Sequence, residues 1–112
     1  MLLAVLFFAA PIANAADGFP PAVSVWHSPL VPTAGAPVEI RTHALDASGI
    51  SAIEINYWIN GAPATKQCTY TTECVASLGT MAQGTQVRYF ARARDTYGNW
   101  GETDNYYFTV GQ

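Results

Sequence analysis

Arginine and aromatic side chains are concentrated in one stretch of the sequence, VRYFARARDTYGNWGE, residues 87–102. Three of the chain's five basic residues lie here: Arg88, Arg92 and Arg94. A guanidinium group stacks on aromatic rings, and arginine and aromatic residues dominate the strongest contacts of protein interfaces. The stretch therefore indicates one of two roles. It is a contact surface for a partner, or its arginines cover aromatic rings of their own sheet and stiffen it.

The first part of this stretch alternates in character, as a β-strand with one buried face does. The residues expected to face the core are apolar: Val87, Tyr89, Ala91 and Ala93. Those expected to face solvent are three arginines and a phenylalanine: Arg88, Phe90, Arg92 and Arg94. A slip of one residue would bury three arginines, which costs far more than exposing one phenylalanine. The small residues Ala91 and Ala93 leave room in the core for a large side chain such as Tyr57 or Trp26.

Two neighbouring strands are expected to extend the outward face. In the strand at 53–60, Glu54, Asn56 and Trp58 alternate with apolar residues and point outward. In the last strand, 105–110, Tyr107 and Thr109 point outward if Tyr106, Phe108 and Val110 point inward. The resulting candidate binding face combines aromatic and arginine side chains: Trp58, Arg88, Phe90, Arg92, Arg94 and Tyr107.

Short alternating segments separated by turn residues recur along the rest of the chain, and no segment after residue 16 has a helical apolar period. The predicted strands cover residues 22–28, 38–45, 53–60, 65–70, 73–78, 86–94 and 105–110. Asn60-Gly61 is a hairpin-type turn, because both residues accept a positive φ. About seven short strands predict an all-β fold, a single antiparallel β-sandwich.

Turn and core residues in two segments follow a known pattern. It lies in GISAIEINYWINGAP and GTMAQGTQVRYFARARDTYGNWGETDNYYFTV and is carried by Asp46, Ser48, Gly49, Ile50, Asn60, Gly61, Gly84, Thr85, Val87, Tyr89, Ala93, Asp95, Gly98 and Asn99. With it the chain resembles bacterial immunoglobulin-like domains of the fibronectin-type-III-like sort over about residues 20–110. The resemblance implies an immunoglobulin-like sandwich but no single function, because such modules serve many roles.

The first fifteen residues, MLLAVLFFAAPIANA, are an apolar run followed by small residues. Ala13 and Ala15 fit a signal-peptidase site that would leave Ala16 as the mature N-terminus. A retained hydrophobic anchor is the alternative, although fifteen helical residues reach only about 22 Å of the roughly 30 Å hydrocarbon core. The predicted organisation is therefore a signal peptide or anchor at 1–15 and one β-sandwich at 16–112.

Two cysteines, Cys68 and Cys74, form an even count behind a secretion signal. They predict a disulfide and an extracytoplasmic location: secreted, periplasmic or at the cell surface. Two free thiols in a reducing compartment are the alternative. A metal site would need more ligands than Cys-x5-Cys offers, and neither histidine is near in sequence.

Acidic residues lie mostly in turns. Asp46, Asp95 and Asn99 are expected at one end of the sandwich, where turn hydrogen bonding is their favoured role and calcium a weaker one. His27 ends the first strand and His43 faces outward. No nucleophile elbow, His-x3-His pair or phosphate-binding loop is present, so the sequence predicts neither catalysis nor a cofactor.

Two non-catalytic roles remain. In the first, a secreted or envelope-attached module uses its aromatic–arginine face on a protein or a glycan. In the second, the domain is a structural subunit of a surface filament or membrane complex, held by a retained N-terminal hydrophobic segment. A protein partner or self-assembly is expected in either role. A net charge of -3 without a basic run gives no reason to expect nucleic acid, and a membrane is expected only through residues 1–15.

Mass spectrometry of the native protein separates these two roles. We expect cleavage after Ala15 and an N-terminus at Ala16, which favours the secreted module. Detection of an intact segment from Met1 would contradict cleavage and favour the structural subunit.

Overall fold

Two antiparallel sheets pack together as a β-sandwich in the computed structural model, which describes residues 18–112. Its eight strands are β1 (Ala22–Ser28), β2 (Val38–Leu45), β3 (Ile50–Ile59), β4 (Ala62–Thr69), β5 (Glu73–Gly79), β6 (Gln86–Asp95), β7 (Trp100–Glu102) and β8 (Tyr106–Thr109). One sheet has the order β1-β2-β5; the other has β4-β3-β6, with β7 and β8 both pairing with β6. The predicted all-β sandwich is confirmed. The N-terminal segment at 1–15 lies outside the described residues.

Seven of the eight strands fall on predicted segments, and β7 does not. It pairs with the end of β6, where Trp100 lies opposite Arg94, while β8 pairs with the beginning of β6. Three residues are too few to show a period of two, so alternation could not predict this strand. The third strand also begins at Ile50 rather than at residue 53, because a register shift against β6 lets Ile50, Ser51 and Ala52 all be buried.

The core lies between the inward faces of the two sheets. The expected register of β6 is confirmed, since its four inward residues, Val87, Tyr89, Ala91 and Ala93, are at most 2% exposed. They pack with apolar residues of both sheets, among them Ile40, Ile53 and Ile55. The suggestion that Trp26 fills the core is wrong. Its side chain is 44% exposed, because β1 turns Val23 and Val25 inward and Trp26 outward.

A histidine–tyrosine contact crosses the core from one sheet to the other. Nδ1 of His27 in β1 lies 2.7 Å from Oη of Tyr89 in β6, and Nε2 lies 3.1 Å from the carbonyl oxygen of Leu30. The carbonyl only accepts, so Nε2 donates to it, and Nδ1 of the neutral ring accepts the proton of Tyr89. His27 is therefore a half-buried link between the two sheets, which its expected position at the strand end did not reveal.

The predicted disulfide joins Cys68 to Cys74 and is confirmed. Cys68 lies in the edge strand β4 and Cys74 in the edge strand β5 of the other sheet, with Cα atoms 5.8 Å apart. The bridge therefore links the two sheets along one edge of the sandwich. Disulfides persist in oxidising compartments, so the bridge favours an extracytoplasmic environment. No helix in residues 18–112 is long and apolar enough to cross a membrane.

Burial of Tyr89 gives stability a dependence on alkaline pH. Burial, with a smaller effect of Tyr106, raises the pKa of Tyr89 from 10.0 to about 12. Between these two values the unfolded chain loses the phenolic proton while the folded chain keeps it, so unfolding becomes easier as pH rises. The free energy of unfolding should fall by about 2–3 kcal/mol across this interval, as measured by urea denaturation at successive pH values.

Tyr89→Phe is the matched control, because it removes only the titrating hydroxyl. At neutral pH the free energy of unfolding of this variant should be lower by about 1 kcal/mol, because the hydrogen bond to His27 is missing. Between pH 10 and 12 it should not show the further fall expected for the original protein. Parallel profiles for the two proteins would contradict the assignment.

Candidate interaction face

Strand β6 runs through the middle of the five-stranded sheet and sets the layout of its outer face. Cross-strand pairing places Trp58 of β3 and Tyr107 of β8 on either side of Arg88. Further along, Glu54 lies opposite Arg92. All six predicted site residues lie on this outer face: Trp58, Arg88, Phe90, Arg92, Arg94 and Tyr107. We call this surface the arginine face.

Arg88, Trp58 and Phe90 form one stack at the beginning of β6. The Cζ atom of Arg88 lies 3.6 Å from the centroid of the Trp58 ring. The Phe90 ring is nearly parallel to Trp58, with centroids 6.0 Å apart and an interplanar angle of 23°. Arg88 also donates a hydrogen bond from Nη1 to Oδ1 of Asn105. The Trp58 ring is thus already engaged by two neighbours from the same chain.

A second stack at the other end of β6 includes a residue that the sequence analysis missed. Trp100 lies with its ring centroid 4.1 Å from Cζ of Arg92 and 5.9 Å from Cζ of Arg94. Arg94 donates a hydrogen bond from Nε to Oγ of Ser51. The sequence did contain a signal for the position of Trp100. A tight turn at 95–99 brings the residue that follows the turn beside the strand that precedes the turn.

The arginines of the face differ in how their charge is balanced. Nε of Arg92 lies 2.8 Å from Oε1 of Glu54, in a partly buried salt bridge. Within residues 18–112, neither Arg88 nor Arg94 forms a salt bridge. Among the described residues, the hydrogen-bond acceptor of Arg88 is the neutral side-chain amide of Asn105. One guanidinium of the face is therefore neutralised, and two carry their charge to the surface.

A concavity of about 650 Å³ opens beside Arg88, at the end of the sheet where β3 turns into β4. It is lined by Trp58, Asn60, Gly61, Gln86, Val87, Arg88, Tyr107 and Thr109, and we call it the Arg88 groove. The turn prediction is confirmed, since Asn60 and Gly61 both have positive φ. Oδ1 of Asn60 accepts a hydrogen bond from the backbone N–H of Gln86 and fixes the turn against β6. Tyr107, at 69% exposure, forms an open wall of the groove.

The weak calcium candidates lie at the other end of the sandwich. Asp46 accepts hydrogen bonds from the backbone N–H and the hydroxyl of Ser48, and Asp95 accepts from the backbone N–H groups of Tyr97 and Asn99. Thr96 bridges the two loops through the carbonyls of Ser48 and Gly49. The expected turn chemistry is confirmed. In the described part of the chain, no three His, Cys, Asp or Glu side chains gather as metal ligands.

Comparison with known protein families and with curated proteins finds no match for this chain. The role of the arginine face is therefore inferred from its geometry.

The stack of Arg92 on Trp100 should contribute measurably to stability. A double-mutant cycle of Arg92→Ala and Trp100→Ala, read by chemical denaturation, should give a coupling of about 0.5–1 kcal/mol. Arg92→Ala also removes the salt bridge with Glu54, but it does so whether residue 100 is tryptophan or alanine. This loss therefore cancels in the coupling free energy.

Arg41 and Trp26 form the matched control on the other sheet. They lie directly opposite each other in β1 and β2, and Arg41 has its own salt bridge with Glu39. Within the described residues they form no cation–π stack, so their coupling should be near zero. Equal couplings in the two cycles would show that the stack adds nothing.

Proposed function

We propose that the chain is a non-catalytic, immunoglobulin-like module, secreted or attached to the cell envelope, that binds a protein partner through its arginine face. The strand order supports this fold assignment. In a seven-strand, constant-type immunoglobulin sandwich the first, second, fourth and fifth strands share one sheet, and the third, sixth and seventh share the other. Here β1-β2-β5 and β3-β6 follow that order, and β7 with β8 occupies the place of the last strand. The fourth strand departs from it, because β4 pairs with β3 in the other sheet.

The observation that carries the proposed binding role is the exposure of Tyr107 beside Arg88. Tyr107 is 69% exposed and stands on the wall of a groove of about 650 Å³. Arg88 lines the same groove and holds an unneutralised charge. Tyrosine and arginine at the centre of a concave patch are the residues that most often dominate binding energy.

A protein fits this face better than a glycan does. Sugar rings stack on the open faces of aromatic side chains, and the two tryptophans of the face are already stacked with arginines. Tyr107 alone would be left as a platform for a sugar. A protein partner can instead use the exposed edges of the stacked groups and the open tyrosine together.

Photo-crosslinking in the producing cells tests the proposal. Tyr107 is replaced by a benzophenone-bearing phenylalanine, and irradiation should join the chain to a defined protein. The same replacement of Tyr97 is the matched control. Tyr97 is a half-exposed tyrosine in the β6–β7 turn, outside the Arg88 groove. Adducts of one pattern from both positions, or none from position 107, would contradict the proposal.

Trp58→Ala adds a second requirement. Removing the stack should lower the free energy of unfolding by about 1 kcal/mol and leave the fold intact. It should also abolish the adducts formed from position 107, because Arg88 loses the ring that orients it. Persistence of those adducts at full yield would show that the stack of Arg88 on Trp58 is only an internal ladder and that Tyr107 meets the partner without it.

A further inference from the structure

We infer that the Arg88 groove recognises a carboxylate, presented by an acidic segment of the protein partner. This inference rests on the proposed function, since it names the chemistry of the partner at that same face. Arg88 and Tyr107 are the residues that meet the acidic segment. Arg94, at the far end of β6, is the second unneutralised charge of the face.

Charge is distributed unevenly between this face and the rest of the protein. The outer face of the five-stranded sheet has three arginines and, in register with Arg92 on either side, the carboxylates Glu54 and Glu102. The other basic residues of the chain number only two, Arg41 and Lys66, against six other acidic residues. A positively charged face on a protein of net charge -3 attracts a negatively charged partner to this side and repels it from the others.

The stack with Trp58 prepares Arg88 for a carboxylate. The centroid of the Trp58 ring lies 3.6 Å from Cζ. At this distance a planar guanidinium group stacks with its face on the ring, and such stacking leaves the N–H donors around its edge free to bind a carboxylate. One donor is used by Asn105. A carboxylate can accept two parallel hydrogen bonds from the remaining donors, as a bidentate pair. Because the stack already restricts the rotamers of Arg88, forming this pair costs less conformational entropy.

The composition of the groove favours an acidic peptide over other anions. Single-chain polyanions such as nucleic acid are bound through several basic groups along a strip, and this groove contains one. Beside that one charge, Tyr107 offers apolar surface, and Asn60 and Gln86 offer side-chain amides. A glutamate or aspartate followed by an apolar side chain would use all of these groups.

Fluorescence anisotropy with a labelled oligoglutamate peptide and the purified full chain tests this inference. We expect saturable binding that weakens as salt is added, since the contact is electrostatic. Arg88→Gln should weaken binding about tenfold or more, the effect expected for losing one charge-assisted pair. Arg88→Lys keeps the charge without the planar fork and should show a smaller loss. If Arg88→Gln does not fold, the affinity of Arg88→Lys tests the contact with the carboxylate instead.

Arg41→Gln is the matched control, because it removes one arginine charge from the opposite sheet. It should leave the affinity within about twofold of the original, and an oligoglutamine peptide of equal length should not bind. The inference is overturned by the absence of saturable oligoglutamate binding, by equal effects of the two arginine variants, or by tighter binding of an oligogalacturonate, which would identify an acidic glycan instead.

The two proposals fail in different ways. Adducts from position 107 that persist in Arg88→Gln would keep the protein-binding role and remove the carboxylate. Oligoglutamate binding that depends on Arg88, without any adduct from position 107, would keep the carboxylate site and remove the protein partner.

Discussion

The in–out register of β6 is the constraint on which the rest of the structure depends. This strand pairs with β3, β7 and β8, so its register fixes which side chains of three other strands meet on each face. Its inward residues are almost fully buried, and its outward residues are three arginines and a phenylalanine. A shift by one position would place guanidinium groups between the sheets without partners, at a cost greater than the whole stability of a typical domain of this size.

The arginines of the arginine face differ in how far their interactions are satisfied within the protein. Arg92 is neutralised by Glu54 and covers Trp100, so its interactions are satisfied within the protein. Arg88 has an equally good stack but no carboxylate, and a stack alone stabilises a surface by only about 0.5–1 kcal/mol. We therefore propose that the two roles considered from the sequence, an internal ladder and a contact surface, belong to different ends of the same strand. The ladder end centres on Arg92 and Trp100, and the proposed contact end on Arg88 and Tyr107.

Two links between the sheets hold this face in place. The disulfide joins the edge strands β4 and β5, and the hydrogen bond between His27 and Tyr89 joins β1 to β6. Tyr89 lies in β6 between Arg88 and Phe90, so its hydroxyl fixes from the core side the strand that presents them on the outer side. A surface held in this way loses little conformational entropy when a partner binds.

The sequence by itself determined the features that depend on local periodicity and local turn chemistry. Alternation located seven of the strands and the register of β6, and the positive-φ residues of Asn60-Gly61 located a hairpin. The disulfide was predictable because only two cysteines are present and they lie six residues apart. Each of these signals lies within a few consecutive residues, so it can be recognised without knowing how the rest of the chain folds.

Only the tertiary structure decided which distant residues meet. Trp100, the contact of His27 with Tyr89 and the outward position of Trp26 depend on how strands far apart in sequence are paired and packed, and no local period encodes that. The pairing register also decided which arginine is neutralised. In the antiparallel pairing of β3 with β6, Glu54 lies opposite Arg92. Trp58, four residues after Glu54, lies opposite Arg88, four residues before Arg92. That alignment, set by the packing of the core beneath it, leaves the charge of Arg88 at the surface.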